Sequence, residues 1–219
     1  MKTAIVLGAT GLTGSILLEN LLNDSNYKKI KIFTRRSVNI QSPKIEEYIV
    51  DLLKLEAEKE NFTANEVFCC IGTTTKKTKD KSVYKAIDFG IPSMAAKLSK
   101  ENKCKTFVVM SSMGANANSS IFYNRIKGEM EQAVLSNNIE NTYVFRPSLI
   151  NGTRSEGRFG EDIGNFIAKI INPLLIGGLK KYRSIKAETI AKAMQKIVVE
   201  QPNQKIISSD LIQHIADKY

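Results

Sequence analysis

"TAIVLGATGLTGSILLENLL", residues 3–22, decides how the rest of the chain is read. An apolar run of strand length, Thr3–Ala9, ends in glycines spaced three apart, Gly8, Gly11 and Gly14, and the amphipathic stretch Leu12–Leu22 follows as a helix. Glycine allows a tight turn and lets backbone N–H groups approach a pyrophosphate, which then sits at the positive end of the helix. The plainer alternative is an ordinary strand–helix turn. Nucleotide binding is the better reading, because strand, glycines and helix follow one another in the order that mechanism requires.

Outward from this turn, short apolar runs alternate with helix-length amphipathic stretches, the pattern of a parallel sheet covered on both faces. "KIKIFTR" (Lys29–Arg35), "EEYIVDL" (Glu46–Leu52), "EVFCCIG" (Glu66–Gly72), "KTFVVMSS" (Lys105–Ser112) and "NTYVFRPS" (Asn141–Ser148) read as further strands. Asp88 is placed as the N-cap of a helix with Pro92 in its first turn. Phe122–Ser136 and Ala187–Val199 read as helices, and "KIISS" and a final helix close the chain. The expected fold class is α/β, a Rossmann-type doubly wound parallel sheet. Residues 1–219 form a single domain, with a small glycine-rich cap or substrate segment at about 150–186.

Composition narrows the function. The chain is 42% hydrophobic and 25% charged, ordinary for a soluble globular protein. The most apolar stretch, Phe166–Leu179, is broken by Lys169 and Pro173, so no membrane span is expected, and no secretory signal is visible. A cytoplasmic location follows as the expectation. A single histidine, His214, excludes a His-based triad or multi-His metal site, and no metal is expected. Cys69, Cys70 and Cys104 match no disulfide or zinc pattern, and Cys69 and Cys70 should lie on opposite faces of a strand. The net charge of +10 suits an anionic ligand, but the lysines are spread along the chain, apart from Lys76, Lys77, Lys79 and Lys81. No zinc finger, aromatic RNA-binding pattern or arginine-rich arm accompanies them, so no specific nucleic-acid partner is expected.

Two further positions carry chemistry. At the end of the second strand a carboxylate would suit the ribose of NAD(H), whereas the 2′-phosphate of NADP(H) needs positive charge. "FTRRS" offers Arg35 and Arg36 and no carboxylate, which favours NADP(H) and leaves NAD(H) possible. The other position is "YNRIKGE", Tyr123–Glu129. Tyr-x-x-x-Lys occurs three times, as Tyr27/Lys31, Tyr123/Lys127 and Tyr182/Lys186, so spacing alone decides nothing. Only Tyr123 follows a serine-ended strand, at Ser112, and opens the helix after it. Strand carboxyl ends are where open parallel sheets bind ligands.

With these motifs in order, the chain resembles the short-chain dehydrogenase/reductase superfamily: "GATGLTG", "VDL", "CIGTT", "MSSMGA", "YNRIK" and "FRPS". "CIGTTTKKT" and the "RPS…GTRSEGR" stretch are similar to its atypical branch, the Tat-interacting-protein-like NADP-binding oxidoreductases. The resemblance implies that Gly8, Thr10, Gly11, Leu12, Thr13 and Gly14 cradle the pyrophosphate, and that Arg35 and Arg36 hold the 2′-phosphate. It puts Asp51 and Leu52 at the adenine, Ile71, Gly72 and Thr73 on the adenosine ribose side, and Pro147, Ser148 and Leu149 beside the nicotinamide. Tyr123 becomes the general acid. Lys127 binds the nicotinamide ribose and eases proton release from the tyrosine, and Ser112 orients a carbonyl, with Ser111 as the fallback. By the same resemblance, the larger C-terminal substrate domain of extended members is not expected, and a short cap takes its place.

The function expected from all this is an NADP(H)-dependent oxidoreductase moving hydride to or from a small carbonyl or alcohol. Some atypical members bind NADP(H) as regulators, so the alternative is an NADP(H) sensor with a protein partner and no significant turnover. The sensor needs only the glycine turn and the two arginines, while the enzyme also needs a formed Ser112–Tyr123–Lys127 cluster.

Overall fold

The computed structural model describes residues 1–151, 175 and 177–218. Its strands are β1 (Lys2–Leu7), β2 (Tyr27–Thr34), β3 (Ile45–Ile49), β4 (Glu66–Cys69), β5 (Thr106–Met110), β6 (Asn141–Arg146), β7 (Ile150–Asn151), β8 (Ile185–Lys186) and β9 (Ile206–Ser208). The α-helices are α1 (Leu12–Asn23), α2 (Lys81–Lys85), α3 (Ile91–Glu101), α4 (Phe122–Ser136), α5 (Ala187–Glu200) and α6 (Ser209–Asp217). Seven strands form one parallel sheet in the order β3-β2-β1-β4-β5-β6-β9.

The strands are apolar on both sides because both sides are covered. On one face Ala4, Val6, Ile30, Ile32 and Phe68 pack with Leu17, Leu18 and Leu21 of α1 and Ile190, Met194 and Ile197 of α5. On the other, Ile5, Leu7, Phe33, Val67 and Val109 pack with Ala95 and Leu98 of α3 and Met130 and Val134 of α4. Cys69 belongs to the second face, and Cys70 packs against the first, as alternation along a strand requires. Leu7 pairs with Phe33 of β2 on one side and Cys69 of β4 on the other. Gly8 therefore leaves the sheet where strand order reverses, and a crevice opens there.

One expected element is corrected. Asp88 does not cap a helix. The helix starts at Lys81, where the Asp80 carboxylate accepts from the amides of Ser82 (2.7 Å) and Val83 (3.1 Å). Between α2 and α3, Ala86–Gly90 widens into a π-turn, with the Ile91 amide reaching back to the Ala86 carbonyl. Pro92 has no N–H to return to the preceding turn, and the wider turn carries the helical path past it. Asp88 is fully buried inside that turn.

The "EEYIVDL" stretch also divides. β3 stops at Ile49, and a 3-10 helix, Leu52–Glu58, begins behind Asp51, whose carboxylate accepts from the Leu53 amide at 3.0 Å. The expected cap at 150–186 lies mostly outside the described residues. Its two ends meet in a second sheet, where Ile150 of β7 pairs with Ile185 of β8. Among the described residues no helix is long and apolar enough to cross a membrane.

Candidate active site and cofactor cleft

The turn after β1 needs glycine at two of its three positions for steric reasons. Gly8 has φ +84°, and a Cβ there would stand 2.8 Å from the Cys70 carbonyl. A Cβ at Gly14 would stand 2.1 Å from the Gly8 oxygen, so α1 can pack this close to the strand only with hydrogen at that position. Gly11 donates its amide to the Gly8 carbonyl at 2.9 Å, and α1 starts at Leu12 with no side-chain cap. The orphan amides of its first turn thus face the crevice end of the sheet. Thr10 is exposed, and Thr13 is buried behind the turn.

Six of the expected cofactor residues, Gly8, Thr10, Arg35, Arg36, Leu52 and Ile71, line one pocket, together with Phe33 and Thr34. Thr34 shapes its rim by donating its hydroxyl to the Arg36 carbonyl at 2.8 Å. Arg35 and Arg36 are exposed, and neither guanidinium pairs with a carboxylate among the described residues. Asp51 is exposed and caps the 3-10 helix, while Leu52 turns inward.

The second cluster lies at the ends of β4, β5 and β6. Ser111 and Ser112 end the same strand and have opposite fates. Ser111 donates to the buried carboxylate of Glu131, which also receives the Arg146 guanidinium, with Nε at 2.9 Å. Ser112 Oγ is buried and makes no hydrogen bond among the described residues. Ser112 is therefore the free hydroxyl, and Ser111 is structural.

The loop after Ser112 returns to α4 along a path that Gly128 permits, since a Cβ there would stand 2.1 Å from the Ala117 nitrogen. The Asn116 amide donates to the Asn124 carbonyl at 2.9 Å, and the Met113 amide to the Pro147 carbonyl at 2.9 Å. Tyr123 starts α4 half-buried, and its hydroxyl has no hydrogen-bond partner among the described residues.

One turn on, Lys127 is buried, and its Nζ stands 2.8 Å from Oδ1 of Asp88. The approach is ionic without hydrogen-bond alignment, so the ammonium's donors are not spent on a described residue. Gly72, exposed at the end of β4, adjoins this pair: a Cβ there would lie 3.8 Å from Lys127 Nζ. Asp88 Oδ2 accepts the Thr73 amide at 2.7 Å. Tyr84 closes the back of the cluster, its ring edge-on to Phe122 at 5.6 Å and its hydroxyl donating to the Thr73 carbonyl at 3.4 Å. Burial, and then the Asp88 charge, push the Tyr84 phenol well above the usual range, so it stays protonated.

At the end of β6, Pro147 is buried and holds the loop that follows Ser112. Ser148 donates to the Arg183 carbonyl and receives the Ser209 hydroxyl at 3.0 Å, so its side chain is committed to the C-terminal segments. Leu149 is 63% exposed. Asp88, Glu131 and Gly128 are absent from the site residues picked out by sequence, where Asp88 figured only as a helix cap. The signal for Asp88 was a lone acid among Ile87, Phe89 and Ile91, and Glu131 follows Lys127 by one helical turn.

A glycine turn at the reversal of a parallel sheet, with a serine just past β5 and a tyrosine and lysine in the first turns of α4, defines a Rossmann-type dinucleotide-binding protein of the short-chain dehydrogenase/reductase superfamily. Within it, the chain belongs to the NAD dependent epimerase/dehydratase family, whose model matches residues 4–184. It is 33% identical over 164 residues to Protein HTATIP2 of Rattus norvegicus, covering 73% of this chain and 67% of that one. It is 31% identical to "Protein FMP52, mitochondrial" of Candida glabrata, across 100% of this chain and 97% of the relative. The fold matches UDP-glucuronic acid 4-epimerase from Bacillus cereus in complex with NAD, with a TM-score of 0.69 at 16% identity, covering 94% of this chain and 76% of that one. The protein is an NAD(P)-binding member of this family.

Proposed function

We propose that the protein is an NADP(H)-dependent oxidoreductase acting on a small carbonyl or alcohol. The observation that carries this reading is a division among polar side chains. The hydroxyls of Ser112 and Tyr123, the donors of Lys127 and the guanidiniums of Arg35 and Arg36 are all left without hydrogen-bond partners among the described residues. A buried, unsatisfied hydroxyl costs stability unless something binds it. The glycine turn leaves a cradle that a Cβ would fill, and the residues present fit a dinucleotide.

In this reading the α1 amides, with Gly8, Thr10, Gly11, Leu12, Thr13 and Gly14, hold the pyrophosphate. Arg35 and Arg36 pair with a 2′-phosphate, and Leu52 and Ile71 pack at the adenosine, with Asp51 at its edge. Gly72 and Thr73 form the wall toward Lys127, and Pro147, Ser148 and Leu149 the wall toward the nicotinamide. When bound, the dinucleotide supplies or accepts the hydride. Ser112 holds the substrate oxygen in place, Tyr123 gives it a proton or takes one back, and Lys127 holds ribose hydroxyls with the donors it has free. Tight placement of these groups is what turns proximity into rate.

A panel of small aldehydes and ketones, followed by NADPH oxidation, tests the proposal. At least one should turn over, and Tyr123→Phe should remove that turnover while NADPH still binds. Tight NADPH binding with no turnover across the panel would favour the sensor. A cytoplasmic location belongs to the same reading and competes with the mitochondrial one carried in the name of the FMP52 relative; fractionation of the native protein separates them.

A further inference from the structure

We propose that the substrate carries an anionic group, a carboxylate or a phosphate, and that Lys81 and Arg125 receive it over the ring of Phe122 at the mouth of the site. The inference rests on the reading of the protein as a carbonyl oxidoreductase and names the substrate class of that site.

Phe122 comes immediately before Tyr123 at the start of α4, and it is half-buried. Two cations converge on its ring. Lys81 Nζ stands 5.6 Å from the centroid and Arg125 Cζ 5.9 Å, so the two charges are at most about 11.5 Å apart. The same ring takes the edge of Tyr84, whose hydroxyl reaches the Thr73 carbonyl next to Gly72 and Lys127. After burial and Asp88, the neighbouring Tyr123 also pushes the Tyr84 phenol up, so the two phenols lie close. The cation pair thus stands on the same wall as the proposed proton donor.

Stability does not account for this arrangement. Cation–ring contacts at the surface are weak, and like charges gathered round one ring repel. A cation in the first turn of a helix also opposes the helix dipole. Arg125 lies in the first turn of α4, which has no acid there and no side-chain cap. Its Nη1 donates to the carbonyls of Ser119 (2.8 Å) and Ser120 (3.3 Å), which fixes the guanidinium beside the ring. The acids that could neutralise the pair are committed elsewhere. The Asp80 carboxylate caps α2, Glu129 pairs with Lys85 at 2.9 Å, and Asp88 is buried against Lys127. Neither Lys81 nor Arg125 has an ion-pair partner among the described residues.

A half-buried, fixed guanidinium beside an exposed lysine suits a carboxylate or phosphate. The planar fork gives direction, and the ammonium adds a point charge. Lys76 and Lys79, both exposed, add positive charge to the loop that leads from Thr73 to Lys81. The anionic group is held and is not itself transformed. Hydride and proton go to the carbonyl.

The test compares matched neutral and anionic carbonyl compounds: butanal against succinic semialdehyde, and glyceraldehyde against glyceraldehyde 3-phosphate. NADPH oxidation is followed at low ionic strength for the wild type and for the double variant Lys81→Gln, Arg125→Gln. In the wild type kcat/KM should favour the charged member of at least one pair about tenfold, mostly through KM. Which pair shows the preference tells carboxylate from phosphate. In the double variant that ratio should fall below about twofold, and added salt should shrink it in the wild type. The ratio is taken within one preparation, so a partly unfolded variant still reports it. A neutral member turned over as well as its charged partner, or a preference that survives in the double variant, overturns the anion site and leaves the oxidoreductase reading standing. No turnover of any member while NADPH binds ends the oxidoreductase reading, and the anion site falls with it.

Discussion

Tyr27 and Lys31 stand four residues apart at the start of β2, just as Tyr123 and Lys127 do at the start of α4. At the first pair every polar group is used within the protein. Tyr27 is buried and donates to the Glu66 carboxylate, which Lys2 also meets at 2.6 Å. Lys31 donates to the Asn61 carbonyl at 2.8 Å and the Thr63 hydroxyl at 2.9 Å. At the second pair the tyrosine hydroxyl has no partner among the described residues, and the lysine has only the Asp88 charge. Tyr27 sits where strands begin, Tyr123 where strands end. The same two residue types at the same spacing are tied into the fold at one end of the sheet and left without hydrogen-bond partners among the described residues at the other. Position relative to the strand ends separates them, and spacing does not.

The largest effect expected from this contrast is on catalysis. Tyr123→Phe should lower carbonyl reduction by about 10²–10⁴-fold, the range of a lost general acid, with little change in melting temperature. Tyr27→Phe should leave turnover per folded molecule unchanged. If both substitutions reduced turnover alike, the contrast would collapse.

The next effect is at the adenosine end. Replacing Arg35 and Arg36 together with glutamine should weaken NADPH at least tenfold and leave NADH nearly unchanged. A charge-assisted contact contributes about 1.5–3 kcal/mol. Parallel titrations with the two dinucleotides check it, and equal losses for both would remove the 2′-phosphate argument.

The place of these arginines was legible because it depends on a local rule, the residue type at the end of the second strand, and both line the pocket beside the glycine turn. So was the glycine turn, whose glycines sit within one short stretch and whose steric need is local. Asp88 was not legible in that way. A helix-start reading was open because an acid precedes Pro92 in the sequence. The burial of Asp88 against Lys127 joins two residues far apart in the chain, and no local pattern announces such a pair. The choice between Ser111 and Ser112 was hidden for the same reason: it turns on Glu131 and Arg146, which arrive from α4 and β6. Gly128 reads as an ordinary helix position until the 116–117 backbone is seen to lie against it.

A smaller effect concerns stability at the structural end. Tyr27→Phe removes a hydrogen bond to a charged, buried acceptor and should cost about 1.5–3 kcal/mol in chemical denaturation. A loss near zero would show that Lys2 satisfies Glu66 by itself.

The smallest effect is on pH dependence. Burial, with the Glu66 hydrogen bond and charge behind it, pushes the Tyr27 phenol far above its ordinary value of 10. Below that pH the phenol is protonated in both states, and its contribution is complete. Above it the unfolded chain loses the proton first, so stability falls as pH rises, by up to about 1.4 kcal/mol per pH unit from this one group. Unfolding followed from about pH 9 to 11, either side of the ordinary phenol value, should show a shallower decline in Tyr27→Phe than in the wild type. Identical slopes would contradict the assignment.

The central claim is that Tyr123 faces the cofactor and Tyr27 does not. Nuclear magnetic resonance of protein labelled with ¹³C at the tyrosine ζ carbon, with each of the 7 tyrosines assigned by substitution, tests it without a substrate. On saturation with NADP⁺ the Tyr123 resonance should move and the Tyr27 resonance should stay where it is. A Tyr123 signal unmoved while NADP⁺ is demonstrably bound would contradict the account.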